Sequence, residues 1–359
     1  MTLPHHAILV NPSLLGFEYG MLDDFQDEIA RITGAALVEI PQQGDFRNLG
    51  RKFPIGTRYA GLRRFLRSRS FSVSADVLWA VMMGPENWML DLYRDWDRKV
   101  GFKILYLFDT MERQIPAIRK VLKSCKWDLT ITSFSGAVPH LEEETQRKWH
   151  CVPQGVKLDR FRPAGENARM IDFCSYGRRL GRIHASLKRF CEQAGLHYDY
   201  TTAAGLRPDT TPQEHYTLYA WHLKHAIFNL CWPVELTTPG RVQSFSPITC
   251  RWFEAAAAGN VIVGKAPRDT GFAELFGPDA IVDMNPELSD VDLQTVWQKL
   301  WDARCALLEA VRQRYRVYSA EWSWEARVRQ MLNLAGLEET AGQRQIVNTG
   351  TDPMNLVTI

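Results

Sequence analysis

The stretch from His225 to Gly264, HAIFNLCWPVELTTPGRVQSFSPITCRWFEAAAAGNVIVG, constrains this chain more than any other. It opens on a short apolar run, Ala226 to Cys231, of the kind that forms a buried strand. Pro233 to Pro247 is rich in Pro, Gly, Ser and Thr and reads as a loop. A helix follows from Pro247 or Thr249, with Arg251 and Glu254 in its first turns, and Gly259-Asn260 stops it. Val261-Ile262-Val263 is then the next strand. Strand, loop, helix, strand is the repeating unit of a parallel α/β sheet, whose ligands gather at the carboxyl ends of the strands. The loop therefore leads into a helix N-terminus, where free backbone N–H groups favour anions. Arg251 adds a fixed positive charge there, and Glu254 adds a carboxylate able to accept two hydrogen bonds from a diol. The plainer reading of the same residues is an amphipathic helix with Arg and Glu on its surface.

The same alternation runs through the rest of the chain. Apolar runs at Ala7–Val10, Ala36–Ile40, Val77–Met83, Lys103–Phe108, Leu129–Thr132 and Met170–Cys174 predict strands. Leu22, Phe25, Ile29 and Ile32 lie on one face of a predicted helix over 22–32. Further helices are predicted over 91–100, 111–122, 141–148, 183–194, 217–226 and 291–318, with a last one ending near Leu334. The 359 residues suffice for two domains of ordinary size, and 45% hydrophobic with 23% charged residues is a soluble globular composition. A net charge of +2 gives no general attraction to nucleic acid. The seven cysteines are scattered and contain no CxxC, which suits reduced thiols better than a disulfide framework or a zinc site. The N-terminus lacks the charged and long apolar regions of a signal peptide. No stretch reaches the roughly 18 apolar residues of a membrane-spanning helix. The expectation is a cytoplasmic protein without a metal.

One charge asymmetry stands out. Arg47, Arg51, Lys52, Arg58, Arg63, Arg64, Arg67 and Arg69 follow one another with no acid between Asp45 and Asp76. Leu62, Phe65 and Leu66 set an apolar stripe beside Arg63, Arg64 and Arg67. Either this is a solvated helix face, or it meets an anionic surface: headgroups at the inner membrane face, a lipid-diphosphate acceptor or an acidic glycan. No nucleic-acid recognition motif accompanies it.

Asp109 ends a predicted strand, where an α/β cleft opens, and so is a candidate site residue. It can equally cap the helix that follows, and both can hold. Asn11 and Tyr19 lie in the loop after the first strand and are weaker candidates for contact with a second substrate. Ser175-Tyr176-Gly177-Arg178-Arg179-Leu180-Gly181-Arg182 joins a strand to a helix. The plainer reading is a basic helix N-terminus facing water, which is unfavourable against the helix dipole unless an anion sits there, and the guanidinium fork suits phosphate.

Three of these segments together resemble GT-B glycosyltransferases of the group-1 type. Phe253-Glu254-Ala255-Ala256-Ala257-Ala258-Gly259 matches the second half of that family's two-glutamate motif, while Ser246 stands where its first glutamate belongs. Asn229 with Arg251-x-Phe253-Glu254-Ala255 is closest to the spore-maturation-protein-like branch. Cys151-Val152-Pro153-Gln154-Gly155-Val156-Lys157-Leu158-Asp159-Arg160-Phe161-Arg162-Pro163 resembles the family's interdomain crossing, with Gln154 for Asn and Lys157 for Asp. In it, Gly155 permits a tight or left-handed turn and Phe161 pins the linker. Gly177-Arg178 and Arg182 fit the pair of cations that contact the donor diphosphate, and Gly271-x-x-Glu274 fits the loop beside the donor sugar.

The resemblance implies two Rossmann-like domains facing across a cleft: 1–155 on the acceptor side and 156–318 for the nucleotide sugar. A segment over 319–337 would cross back to the first domain, and 338–359 would be a tail. It implies transfer of a sugar from a nucleoside diphosphate sugar to a hydroxyl on a glycan, lipid-linked or small-molecule acceptor, with no cofactor or metal. Asp109, Arg178 and Glu254 would be catalytic. Gly177, Arg178, Arg182, Ser246, Thr249, Arg251, Glu254 and Gly271 would hold the donor, and Asn11, Arg63, Arg64 and Arg67 the acceptor or membrane surface. Two other readings remain: an epimerase or hydrolase of nucleotide sugars on the same scaffold, and a degenerate module that binds a glycan or partner. Ser246 in place of Glu is what keeps the latter open.

Overall fold

The computed structural model describes residues 4–10, 20–39, 69–70, 74–83, 93–94, 96–122, 126–165, 168–201, 210–242 and 244–337. Asn11, Tyr19, the arginine run up to Arg67 (Arg63 and Arg64 included) and the tail 338–359 lie outside the described residues.

Among the described residues, eight strands precede residue 152: β1 (His6–Val10), β2 (Ala36–Glu39), β3 (Arg69–Ser70), β4 (Ala75–Met82), β5 (Tyr93–Arg94), β6 (Val100–Leu107), β7 (Leu129–Thr132) and β8 (His150–Cys151). Six of them form a parallel sheet in the order β2-β1-β4-β6-β7-β8, and β3 pairs with β5. Five more follow: β9 (Ile171–Ser175), β10 (Tyr198–Tyr200), β11 (Ala226–Cys231), β12 (Val261–Gly264) and β13 (Ile281–Asp283). They form a second parallel sheet, β10-β9-β11-β12-β13. The central strands are apolar runs because both of their faces are covered by helices. Leu78, Trp79, Ile104 and Leu105 in the first sheet, and Phe173 and Phe228 in the second, have no exposed surface.

Pairing and capping move several element ends away from the sequence expectation. Val100 is paired with Ala75, so β6 takes a residue expected to be helical, and among the described residues of that stretch the helix is Trp96–Lys99. The helix expected from Thr217 starts at Pro212, because Thr211 and Glu214 form a reciprocal capping box ahead of it. The helix expected over 291–318 is two, Asp290–Asp302 and Arg304–Tyr318, and β10 and β13 are strands too short to show a period.

Two of the crossings between the sheets run side by side. Val156 donates its N–H to the Trp322 carbonyl at 2.8 Å, and Trp324 donates to the Val156 carbonyl at 3.1 Å. Gly155 is needed here for space rather than for a left-handed turn. Its φ is not positive, and a Cβ would stand 2.9 Å from the Trp324 ring and 3.1 Å from the Trp322 carbonyl. After the second crossing the helix Trp324–Leu334 lies on the helix Gly20–Thr33, with Trp324 stacked on Phe25 at 4.4 Å. Trp324, Val328, Met331 and Leu332 thereby join Ile8, Phe25, Trp79 and Tyr106 in one core.

A polar contact also ties the two halves together. Arg160, in the short helix Leu158–Phe161, holds Asp24 with both arms of its guanidinium at 2.7 and 2.6 Å. It also reaches Thr217 and Gln213 at 2.7 and 2.8 Å and lies over the Tyr216 ring. Asp24 is 1% exposed, and the fork pairs both of its oxygens. Among the described residues no helix is long and apolar enough to cross a membrane.

Candidate active site

The carboxyl ends of β6 and β7 face those of β9, β11 and β12, and the loops that leave them meet. The segment after β11 crosses over: Val234 and Val242 are buried in the core of the first sheet, with Leu107, Met111, Phe134 and Ala137. Ser244 donates its N–H to Glu112 at 3.0 Å, and its hydroxyl pairs with His140 at 2.9 Å. Ser135, after β7, hydrogen-bonds Asp269, after β12.

Asp109, Arg178, Arg241 and Arg251 are brought together at this junction. Asp109 accepts a hydrogen bond from the Gln154 amide at 2.9 Å, and that amide also bonds the Phe108 carbonyl. Burial pushes the Asp109 carboxyl above its ordinary value, against the Gln154 hydrogen bond and the charges of Arg178 and Arg241. Asp109 does not cap the next helix. The 3₁₀ turn that leads into it is capped by Met111, whose N–H bonds the Gln114 side chain at 2.9 Å. Arg178 is pushed down to about 10, first by burial and then by the charges of Arg251 and Arg241, with Asp109 opposing. Two guanidinium nitrogens of this cluster, Arg178 Nε and Arg251 Nη1, are buried and have no hydrogen-bond partner among the described residues. Buried unpaired donors are unfavourable by about 1–3 kcal/mol each, more when charged. A concentration of cations with idle N–H groups is a site for an anion.

Gly177 is held at φ +78 and donates its N–H to Thr201 at 2.7 Å. A Cβ there would run into the Arg251 guanidinium, so glycine both permits the turn and leaves room for the cation. Thr249 precedes the helix Cys250–Ala257 without a side-chain cap bond, which leaves the helix N–H groups beside Arg251 free of it. Gly271 donates its N–H to Asp269 at 2.9 Å, the same carboxylate that Ser135 reaches.

Two expected donor contacts are arranged differently. Arg182 is turned away from the cluster: it bonds the Pro286 and Leu288 carbonyls and lies 3.5 Å from Asp290. Carbonyls of the loop after β13 hold this guanidinium. Glu254 is 3% exposed, and its two oxygens accept from the Tyr216 and Tyr219 hydroxyls at 2.8 and 3.0 Å. Burial raises its pKa, the tyrosine hydrogen bonds and Arg251 pull the other way, and no face of it is open to a diol. Both tyrosines come from the helix Pro212–His225; the expected start at Thr217 left Tyr216 outside it, and the Thr211-Pro212 cap is the signal for the longer helix.

Ser246 is buried and donates its hydroxyl to Glu235, in the short helix Val234–Thr237 after β11. Glu235, Arg241 and Gln154 are site residues that the sequence reading passed over. Their signal was position: Glu235 and Arg241 lie in the loop at the carboxyl end of β11, and Gln154 stands just before the first crossing. Among the described residues no group of His, Cys, Asp and Glu is arranged to hold a metal ion.

No family model matches the chain, and no curated protein matches it. Among solved structures it is similar to sucrose-phosphate synthase from Thermosynechococcus elongatus, with a TM-score of 0.57 at 13% identity over 92% of this chain and 98% of that one. It is also similar to a glycosyltransferase from Rickettsia africae ESF-5, with a TM-score of 0.50 at 13% identity over 93% and 98%. At these identities the likeness shows the fold, the α/β GT-B architecture of glycosyltransferases with its two parallel sheets.

Proposed function

We propose that this chain is a glycosyltransferase that moves a sugar from a nucleoside diphosphate sugar to a hydroxyl acceptor. The observation that carries the reading is the pair of buried, unpartnered guanidinium nitrogens on Arg178 and Arg251, at the carboxyl edge of the second sheet and opposite Asp109. A diphosphate satisfies both. As the bond from the sugar to the diphosphate breaks, negative charge grows on the leaving phosphate, and preorganised cations in a closed site hold that charge more tightly than the ground state. The acceptor oxygen forms the new bond to the sugar and releases a proton. Asp109, whose carboxyl burial raises above its ordinary value and which faces Arg178 and Arg241, is the group suited to receive it. In this reading Arg241 joins Arg178 and Arg251 on the phosphates, Gly177 and Thr249 shape the pocket, and Glu254 supports the helix that carries Arg251. Arg182 has no donor role.

The test is a screen of nucleoside diphosphate sugars for turnover, with and without a glycan or lipid extract as acceptor. Release of nucleoside diphosphate that depends on the acceptor and falls at least tenfold in Arg178→Lys supports the reading, because Lys keeps the charge and loses the fork. Acceptor-independent release identifies a hydrolase. Binding without turnover identifies a non-catalytic module.

A further inference from the structure

We propose that Glu235, together with Ser246, recognises hydroxyl groups of the transferred sugar, a role that rests on the donor reading above. One Glu235 oxygen takes the Ser246 hydroxyl. The other, Oε2, is buried and meets no donor among the described residues. Arg268 does not serve it: its Nε lies 3.9 Å from the oxygen that Ser246 already occupies, and its side chain is 77% exposed. An acceptor left bare in this way is unfavourable in the free protein and becomes favourable when a ligand brings a donor.

Position says which ligand. Glu235 follows Val234, which is buried in the first sheet's core, and it shares its segment with Arg241, whose charge acts on both Arg178 and Asp109. Arg268 beside it precedes Asp269, which bonds Ser135 of the first half. The carboxylate therefore stands at the border of the two halves, on the same segment as a cation of the anion site. Bare N–H groups on arginine demand an anion, and a bare carboxylate oxygen demands an O–H or N–H donor. A ligand that answers both is a phosphate ester of a polyol. The border with the first half is where the reacting sugar must lie if the acceptor binds there.

The measurement is calorimetric titration of wild type, Glu235→Gln, Ser246→Ala and Arg178→Met with UDP, GDP and ADP, and with UDP-glucose, GDP-mannose and ADP-glucose. For the nucleotide that binds, Glu235→Gln should weaken the sugar conjugate by about tenfold, the size of one hydrogen bond to a charged group. It should change the free diphosphate by less than about twofold, since the phosphates are held elsewhere. Ser246→Ala should act in the same direction and more weakly, and Arg178→Met should weaken diphosphate and conjugate alike. Equal weakening of both ligands by Glu235→Gln would overturn the sugar assignment in favour of the ribose, and no change in either would remove Glu235 from the site. In both of those cases the donor reading survives. Failure of every nucleotide to bind the wild type overturns the donor reading and this one with it. Far-ultraviolet circular dichroism and the melting temperature of each variant establish that it is folded, and Glu235→Asp, with the carboxylate withdrawn by one methylene, gives a second variant with the same expected discrimination.

Discussion

Replacing Arg178 by Met should make the unliganded protein more stable and blind to its ligand. Burial and the neighbouring charges of Arg251 and Arg241 push the Arg178 pKa down to about 10, and only Asp109 pulls the other way. A depression of that size corresponds to on the order of 3 kcal/mol against the charged form. The folded chain binds this proton less tightly than the unfolded one, so the penalty is present in full below about 10 and is relieved only as the pH rises beyond that value. At pH 7 the charge therefore destabilises the fold. Met has a similar stem and no charge, so it recovers part of the penalty while losing the attraction to Asp109. A net gain of about 1 kcal/mol is expected, which in domains of this size raises the melting temperature by roughly 2–4 °C. The wild type should gain a comparable shift only when ligand is added, since a hundredfold excess over the dissociation constant contributes about 2.7 kcal/mol. The assay is calorimetric melting at pH 7, with and without UDP or pyrophosphate. A variant that melts below the wild type, as after an ordinary core deletion, would refute the electrostatic reasoning. A variant that still shifts with ligand as the wild type does would place the anion elsewhere.

Other consequences are open to the same kind of check. Arg160→Met or Asp24→Asn leaves a buried partner unpaired and should each lower stability by about 3–5 kcal/mol; the double variant should lose clearly less than the sum in a denaturant cycle, and strict additivity would mean the two are not coupled. Asp109, raised by burial, contributes stability that is fully present below the ordinary carboxylate range and is lost as the pH rises through its folded value; Asp109→Asn should therefore flatten the decline in melting temperature from about pH 4 upward, and an unchanged profile would show that its carboxyl is not perturbed. Glu254→Gln offers one acceptor where two tyrosines donate, so it should cost about 1–3 kcal/mol of stability and leave the UDP-induced shift intact. Retained stability with a lost shift would instead show Glu254 touching the ligand.

The sequence carried the fold further than the site. Uninterrupted apolar runs such as Val77–Met82 can only be strands covered on both faces, and their spacing by helices forces a parallel sheet, so the α/β reading was available from pattern alone. Residue type also singled out Arg178, in the loop before the helix Gly181–Ala194, and Arg251, in the first turn of the helix Cys250–Ala257, because arginine near a helix start invites an anion. What pattern does not encode is which way a side chain turns. Arg182 and Arg178 are four residues apart, and only the carbonyls of the loop after β13 decide that one is satisfied and the other idle. Glu254 sits in a matching motif, yet two tyrosines from a helix thirty-odd positions earlier close over it, a contact between distant segments that no local spacing reveals. Glu235 was hidden for the opposite reason: it lies in a loop whose composition says only that it is a loop.

The helix Trp324–Leu334 has a bearing on how the molecule comes into being. Its Trp324, Val328, Met331 and Leu332 complete a core whose other walls, Ile8, Phe25, Trp79 and Tyr106, belong to the start of the chain. At ribosomal speeds of about 5–20 residues per second, the first half waits on the order of tens of seconds for that wall to be synthesised. Throughout that interval the Phe25 face is bare, in a chain whose second half is being made and can already be folding. Chaperone contact during synthesis is then to be expected at the beginning of the protein, and the order in which the halves become native can be the reverse of the order in which they are made.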